Sequence, residues 1–174
     1  MGIQFETDYN METLTAMAKG LRKTVRKKRS RRVHIFAAVV LVFGLLTILA
    51  TVAGGEPLGA SGVVTLLVLL VVILVSLFED RLNAWFAKKR LLPGTEHAAA
   101  TFEEDGYVSA TGVTESRFSY AQIVAVAETA RYFVFALSSH HTQAYDKRTI
   151  RGGSVEDFRA FIAEKTGKLV EKIK

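Results

Sequence analysis

The chain contains no cysteine, which excludes a disulfide framework and any thiolate metal site. It also lacks charge over two long stretches. From Val33 to Gly55 the only ionisable residue among 23 is His34, at the edge, and from Pro57 to Phe78 there is none in 22. About 20 apolar residues in a helix cross a hydrocarbon core of roughly 30 Å, so each run is long enough to span. The stretch Val63–Val75 is too uniformly apolar for an amphipathic surface helix. A chain of 174 residues is also too short to bury two such helices on every side, which argues against a pair of soluble core helices. The reading is a hairpin of spans at residues 33–53 and 58–78.

Basic residues are absent from the connection Gly54-Gly55-Glu56-Pro57. They crowd the flanks instead. Residues 1–32 hold nine basic residues against three acidic ones, which accounts for the whole formal charge of +6. Arg81, Lys88, Lys89 and Arg90 follow the second run. Lys and Arg near spans are retained on the cytoplasmic side, so both termini are expected in the cytoplasm and the tip outside, in a multi-pass arrangement. A signal peptide with a cleavage site at Ala50-Thr51-Val52-Ala53 competes poorly. Its basic region would be 32 residues long, and a second apolar run follows at once. Neither run carries a central carboxylate, Lys or Arg, so the groups of a proton or ion pathway are missing.

Small residues mark the faces on which the helices are expected to pack. Ala37, Gly44 and Thr51 recur every seven residues on the first, and Gly62, Thr65 and Ser76 share a stripe on the second. The seam lies within the hairpin or between copies in a homo-oligomer. Arg26, Lys27, Lys28, Arg29, Arg31 and Arg32 before the hairpin, and Lys88, Lys89 and Arg90 after it, are expected to meet membrane lipids with anionic headgroups. Trp85, beside Phe86, is placed as an interfacial anchor. No aromatic residue is interleaved with the bases to stack on nucleobases, so nucleic acid is not an expected partner. Upstream, Leu14, Met17, Ala18, Leu21 and Val25 share one helical side and Lys19, Arg22, Lys23 and Arg26 the other. This predicts an amphipathic helix capped by Asn10 that runs on into the first span. Residues 1–32 thus read as a strand and basic helix, 33–92 as the hairpin with a helical extension, and 95–174 as a separate cytosolic domain.

Pro93-Gly94 ends the extension, and the pattern changes to short strands. Ala98–Glu103 and Tyr107–Thr111 flank Asp105-Gly106, a hairpin signal. Arg117–Tyr120, Ile123–Glu128, Tyr132–Leu137 and Thr142–Asp146 follow, with Tyr132-Phe133-Val134-Phe135 read as a half-buried strand. Ser154 and Asp157 form a capping box before Phe158, Phe161 and Ile162, and Gly167 stops that helix. Arg159, one step around from Phe158, is expected to be exposed and energetically silent. Ile3–Thr7 alternates and is a candidate strand of the same sheet. The fold class is a membrane α-helical hairpin plus a small α+β domain: an antiparallel β meander or roll with a C-terminal helix.

One set of stretches stands together: Phe102-Glu103-Glu104-Asp105-Gly106, Phe118-Ser119-Tyr120 with Ile123, and Glu128 through Tyr132-Phe133-Val134-Phe135. Asp146-Lys147-Arg148 and Glu156-Asp157-Phe158 with Phe161 complete it. In these stretches the chain resembles the YcxB-like family of bacterial membrane proteins. The resemblance implies a two-helix hairpin in the inner membrane and a C-terminal domain related to pleckstrin-homology-like (PH-like) modules, and it supplies no activity. Its first loop, Glu103-Glu104-Asp105, has the wrong sign for capturing a phosphate.

No residue constellation for catalysis, cofactor binding or metal binding is expected. His140 and His141 would point to opposite faces of a strand and lack further ligands. Ser138, Ser139 and Ser154 lack a nucleophile-elbow context. The expected function is therefore not enzymatic. It is a membrane-tethered interaction or regulatory module that binds a protein or peptide through its β domain. The alternative is a structural or regulatory subunit that acts through the hairpin in a larger complex. The hairpin reading is checked by placing cysteines at Ser30, Gly55 and Ser116. A membrane-impermeant reagent applied from outside should label Gly55→Cys alone.

Overall fold

The computed structural model describes residues 2–173. The chain runs β1 (Ile3–Asp8), α1 (Met11–Lys23), α2 (Lys27–Ala53), α3 (Ala60–Leu77) and α4 (Glu79–Lys89). It continues β2 (His97–Phe102), β3 (Tyr107–Thr111), β4 (Glu115–Phe118), β5 (Ala125–Glu128), β6 (Tyr132–Ala136), β7 (Thr142–Asp146), α5 (Val155–Thr166) and β8 (Val170–Lys172). The helices α2 and α3 are apolar and long enough to cross a membrane, and the protein itself covers almost none of their surface. Their large side chains are broadly exposed, as far as 70% at Phe36 and 73% at Leu77. A soluble core helix would bury such side chains.

Two four-stranded sheets make the C-terminal domain, in the orders β1-β2-β3-β4 and β7-β6-β5-β8. All pairs are antiparallel except β5 with β8. The N-terminal strand is a full member. β1 pairs with β2 from Ile3–Phe102 to Asp8–His97. Its other edge is closed by a backbone bridge from Gln4 to Arg151 and by the Glu6 N–H, which donates to the Thr149 hydroxyl at 3.0 Å. Alternation along β1 turns Phe5 and Thr7 inward. Phe5 then sits among Phe158 (ring centroids 4.6 Å), Tyr145 (5.7 Å) and Phe102 (5.8 Å). The Thr7 hydroxyl accepts from the Asp146 N–H at 3.1 Å, which ties β1 to β7 of the other sheet.

The helix α5 closes this aromatic core with Phe158 and Ile162, both fully buried. Its ends follow the sequence signals: Ser154 and Asp157 form the capping box, and Gly167 is left-handed at φ 65°. The second face of the β7-β6-β5-β8 sheet is covered by α1. Gly20 lies so close to β6 that a Cβ there would stand 2.6 Å from Val134 Cγ1. All five residues of β6 are therefore buried, not half-buried as their composition suggests. Phe133 and Phe135 enter the aromatic core, while Tyr132 and Val134 meet Ala16 on the α1 side.

Three further differences from the sequence reading have physical causes. The amphipathic helix does not run into the first apolar helix. It ends at Lys23, the Arg26 N–H reaches back five residues to the Leu21 carbonyl, and Arg26 Nε donates to the Ser139 carbonyl at 2.6 Å. That tertiary bond holds the chain in a turn. The helical extension is likewise broken at Phe78, so α4 packs against α1 as a separate helix. The strand expected at Arg117–Tyr120 is shifted to Glu115–Phe118, because Ser119 and Gln122 cap a short 3₁₀ turn over Tyr120–Gln122. β8 was not anticipated. Three residues are too few for a periodic signal. Because a buried Phe truncated to Ala costs about 3–5 kcal/mol, Phe5→Ala and Phe158→Ala should each lower stability by that amount in urea melts of the full chain. A loss for Phe158 alone would show that β1 is peripheral.

Candidate functional site

The small residues expected to pack differ in exposure from those around them. Ala37, Gly44 and Thr51 on α2, and Gly62, Thr65 and Ser76 on α3, are all less exposed than their neighbours. A Cβ at Gly44 would stand 2.6 Å from Leu69 Cδ2, and Leu69 is 5% exposed. Leu69 escaped the sequence reading because leucines fill that run and nothing marks one from another.

The bases at the foot of the hairpin divide into two groups. Lys27, Lys28, Arg29, Arg31 and Arg32 are exposed on the first turns of α2. Arg26 is half-buried and engaged with Ser139. Arg22, unmarked in sequence except by its polar face, makes a bidentate bond to Asp80 (2.7 and 2.6 Å) and joins α1 to the start of α4. Asp80 in turn raises the pKa of the Arg22 guanidinium. Trp85 is 44% exposed on α4, packed edge-on to Phe86, with Lys89 Nζ 3.6 Å from its ring centroid. Lys88 and Arg90 are exposed beside it. His140 and His141 are exposed near the turn between β6 and β7, and no group of three metal-ligating side chains occurs among the described residues.

Inside the domain, polar side chains are held in two networks. Gln143 Oε1 accepts from the hydroxyls of Tyr107 and Tyr145, both at 2.7 Å. Burial pushes the Tyr9 phenol up to about 12 and Tyr145 well above its ordinary value, so these hydroxyls stay protonated and structural. The second network is ionic. Glu128, 5% exposed at the end of β5, receives Arg159 Nε and Nη2 (2.7 and 2.8 Å) and Lys147 Nζ (2.9 Å). Asp146, also buried, takes Arg131 and Arg148, and Arg131 bridges on to Glu12 of α1. Arg159 is thus not silent. It clamps α5 to β5, a contact that helical spacing alone does not reveal.

The family model for YcxB-like proteins matches residues 102–162. Over these residues the chain is similar to YcxB-like proteins. No curated protein and no solved structure matches the chain. The YcxB-like stretch runs from the last residue of β2 to Ile162 of α5 and contains both networks except Glu12 of α1. It leaves out β1, α1, the hairpin and β8. Its acidic first loop is occupied from within: Glu104 pairs with Lys165 of α5, and Glu103 with Arg117 of β4.

Two concavities open on the β domain. A cleft of about 1070 Å³ lies between α1 and the β5–β6 turn, with Arg81, Lys147 and Lys172 on its wall. A smaller one, about 350 Å³, lies between β4 and the start of β7, lined by Leu14, Met17, Phe118 and His141. Beside the second, β4 is an edge strand whose outer side pairs with no strand among the described residues.

The ionic network carries a pH signature. Arg159 and then Lys147 hold Glu128 down to about 2, below its ordinary 4.5. Its stabilisation is complete above about pH 4.5 and is lost as pH falls toward about 2. Urea melts should therefore show a fall in stability over that window that is weaker in Glu128→Gln. At neutral pH, Arg159→Ala should cost about 1–3 kcal/mol, against almost nothing for Glu164→Ala on the exposed side of α5.

Proposed function

We propose that the protein is a membrane-tethered interaction module of the bacterial inner membrane, with α2 and α3 as the spans and both termini in the cytoplasm. The exposed apolar surface of the two helices and the bases gathered at their foot support this reading. The cytosolic part is of PH-like type, a pair of antiparallel sheets closed by a C-terminal helix, and it docks a protein or peptide. The observation that carries the docking role is the open edge of β4 beside the apolar pocket formed with β7. An extended segment adding to that edge gains main-chain hydrogen bonds, and the pocket accepts one of its side chains. Phe118 and His141, with ring centroids 6.3 Å apart, form the pocket's rim.

The buried titratable groups support a binding role in preference to catalysis. Glu128 and Asp146 are fully paired, and the tyrosines are held protonated by burial. None of them reaches a cavity in a state suited to acid–base chemistry.

A photo-crosslinking residue at Arg117, on β4, and another at Val42, on the outward side of α2, separate this reading from a subunit role of the hairpin. Irradiated in native membranes, Arg117 should yield a discrete adduct and Val42 only lipid. An adduct of defined mass from Val42 alone would assign the partner to the hairpin and remove the docking role from the β domain.

A further inference from the structure

The larger cleft has a charge pattern that neither the fold nor the edge of β4 explains. Five of its lining residues are basic (Lys19, Arg81, Arg131, Lys147 and Lys172) and two are acidic, Glu12 and Glu128. Both acids are already engaged, Glu128 by Lys147 and Arg159, and Glu12 by Arg131. Lys19, Arg81 and Lys172 are left with no carboxylate within ion-pair distance among the described residues. They come from three elements, α1, α4 and β8. A concave site that assembles three uncompensated cations costs electrostatic energy unless an anion occupies it.

Position selects the anion. Arg81 stands four residues beyond Leu77, the last residue of the second apolar helix. Lys19 lies one turn before Arg22, which is bonded to Asp80 at the same level. The basic end of the cleft therefore borders the foot of the hairpin. Its floor is apolar, with Ala16, Tyr132 and Ile173, and Tyr132 is only 2% exposed, so no open aromatic face is available for a nucleobase. We infer that this cleft is a binding site for the phosphate headgroup of an anionic phospholipid. Lys19, Arg81 and Lys172 meet the phosphate, and the apolar floor lies against the adjoining glycerol and first methylenes. The site differs from general attraction at the basic run of α2, whose exposed side chains line neither of the two concavities. It would fix the β domain against the bilayer surface and set the direction in which β4 faces.

The inference rests on the hairpin spanning the bilayer, and the cysteine labelling reports on that separately. Lipid binding can be read without a bilayer. The full chain, purified in a neutral detergent, is titrated with equal amounts of phosphatidylglycerol and phosphatidylcholine, and bound lipid is counted by native mass spectrometry. Phosphatidylglycerol should be retained selectively. The variant Lys19→Gln/Arg81→Gln/Lys172→Gln should weaken it about tenfold or more, while Lys27→Gln/Lys28→Gln/Arg29→Gln, with the same charge removed outside the cleft, should change it less than about twofold. None of the three cleft residues has an ion partner among the described residues, so the thermal midpoint should hold. If the triple variant does not fold, the singles Arg81→Gln and Lys172→Gln carry the comparison. Equal loss in the two triple variants, or unchanged binding in the cleft variant, would overturn the site. Displacement of the lipid by glycerol 1-phosphate at matching concentration would also overturn it, in favour of a soluble phosphate compound. None of these results would alter the labelling pattern of the hairpin.

Discussion

The pairing of β1 with β2 joins residues 3–8 to residues 97–102 across the whole hairpin. That pairing requires the chain to leave the domain and return to the same side. An antiparallel pair of apolar helices does this, and the close approach of Gly44 to Leu69 holds them together. The helices are unequal, 27 residues in α2 and 18 in α3. The extra length of α2 is its basic first turns, and α4 restores the balance on the return. The Arg22–Asp80 bond joins the outgoing and incoming segments at the level where the apolar helices begin. The β domain is thus closed by residues that lie before the hairpin in sequence, and its core is completed by Phe5.

The same arrangement explains why the β7-β6-β5-β8 sheet is buried on both faces. Two amphipathic helices lie on it, one contributed from each side of the hairpin. α5 covers the aromatic face and α1 the other. Each is locked by an ionic contact to the sheet: Arg159 to Glu128 from α5, and Glu12 to Arg131 from α1. The two carboxylates at the strand ends, Glu128 and Asp146, are paired and hydrogen-bonded, as buried charges must be. This leaves the domain with little open sheet surface. Among its accessible features are the edge of β4 and the cleft that α1 forms with the β5–β6 turn.

Those two accessible features lie on different parts of the domain. The cleft borders the foot of the hairpin, and the pocket beside β4 is formed by strands of both sheets. In the function proposed here, a lipid headgroup at the first orients the domain and leaves the second turned toward the cytoplasm for a protein segment. The YcxB-like match covers β3 to β7 and most of α5 but not β1, α1, α4 or β8. The proposed headgroup contacts, Lys19, Arg81 and Lys172, therefore all come from outside the matched region.

The sequence by itself determined the elements whose signals are local. The apolar helices follow from long uncharged runs, α5 from its capping box and glycine stop, and β3 and β7 from alternation and turn residues. Gly44, one of the small residues that stand out in those runs, is where the two apolar helices approach closely. Tertiary structure decided the rest, because those features depend on pairs of residues far apart in the chain. The break between α1 and α2 depends on Arg26 finding Ser139. The burial of β6 depends on α1 folding back over it. The pairing of β8 needs β5 as its template. The role of Arg159 could not be read from its place one step from Phe158, since a helix surface does not reveal which strand end will meet it. The same holds for the cleft: Lys19, Arg81 and Lys172 are unremarkable in sequence, and the proposed site arises only where three elements converge and both carboxylates lining the cleft, Glu12 and Glu128, are already paired.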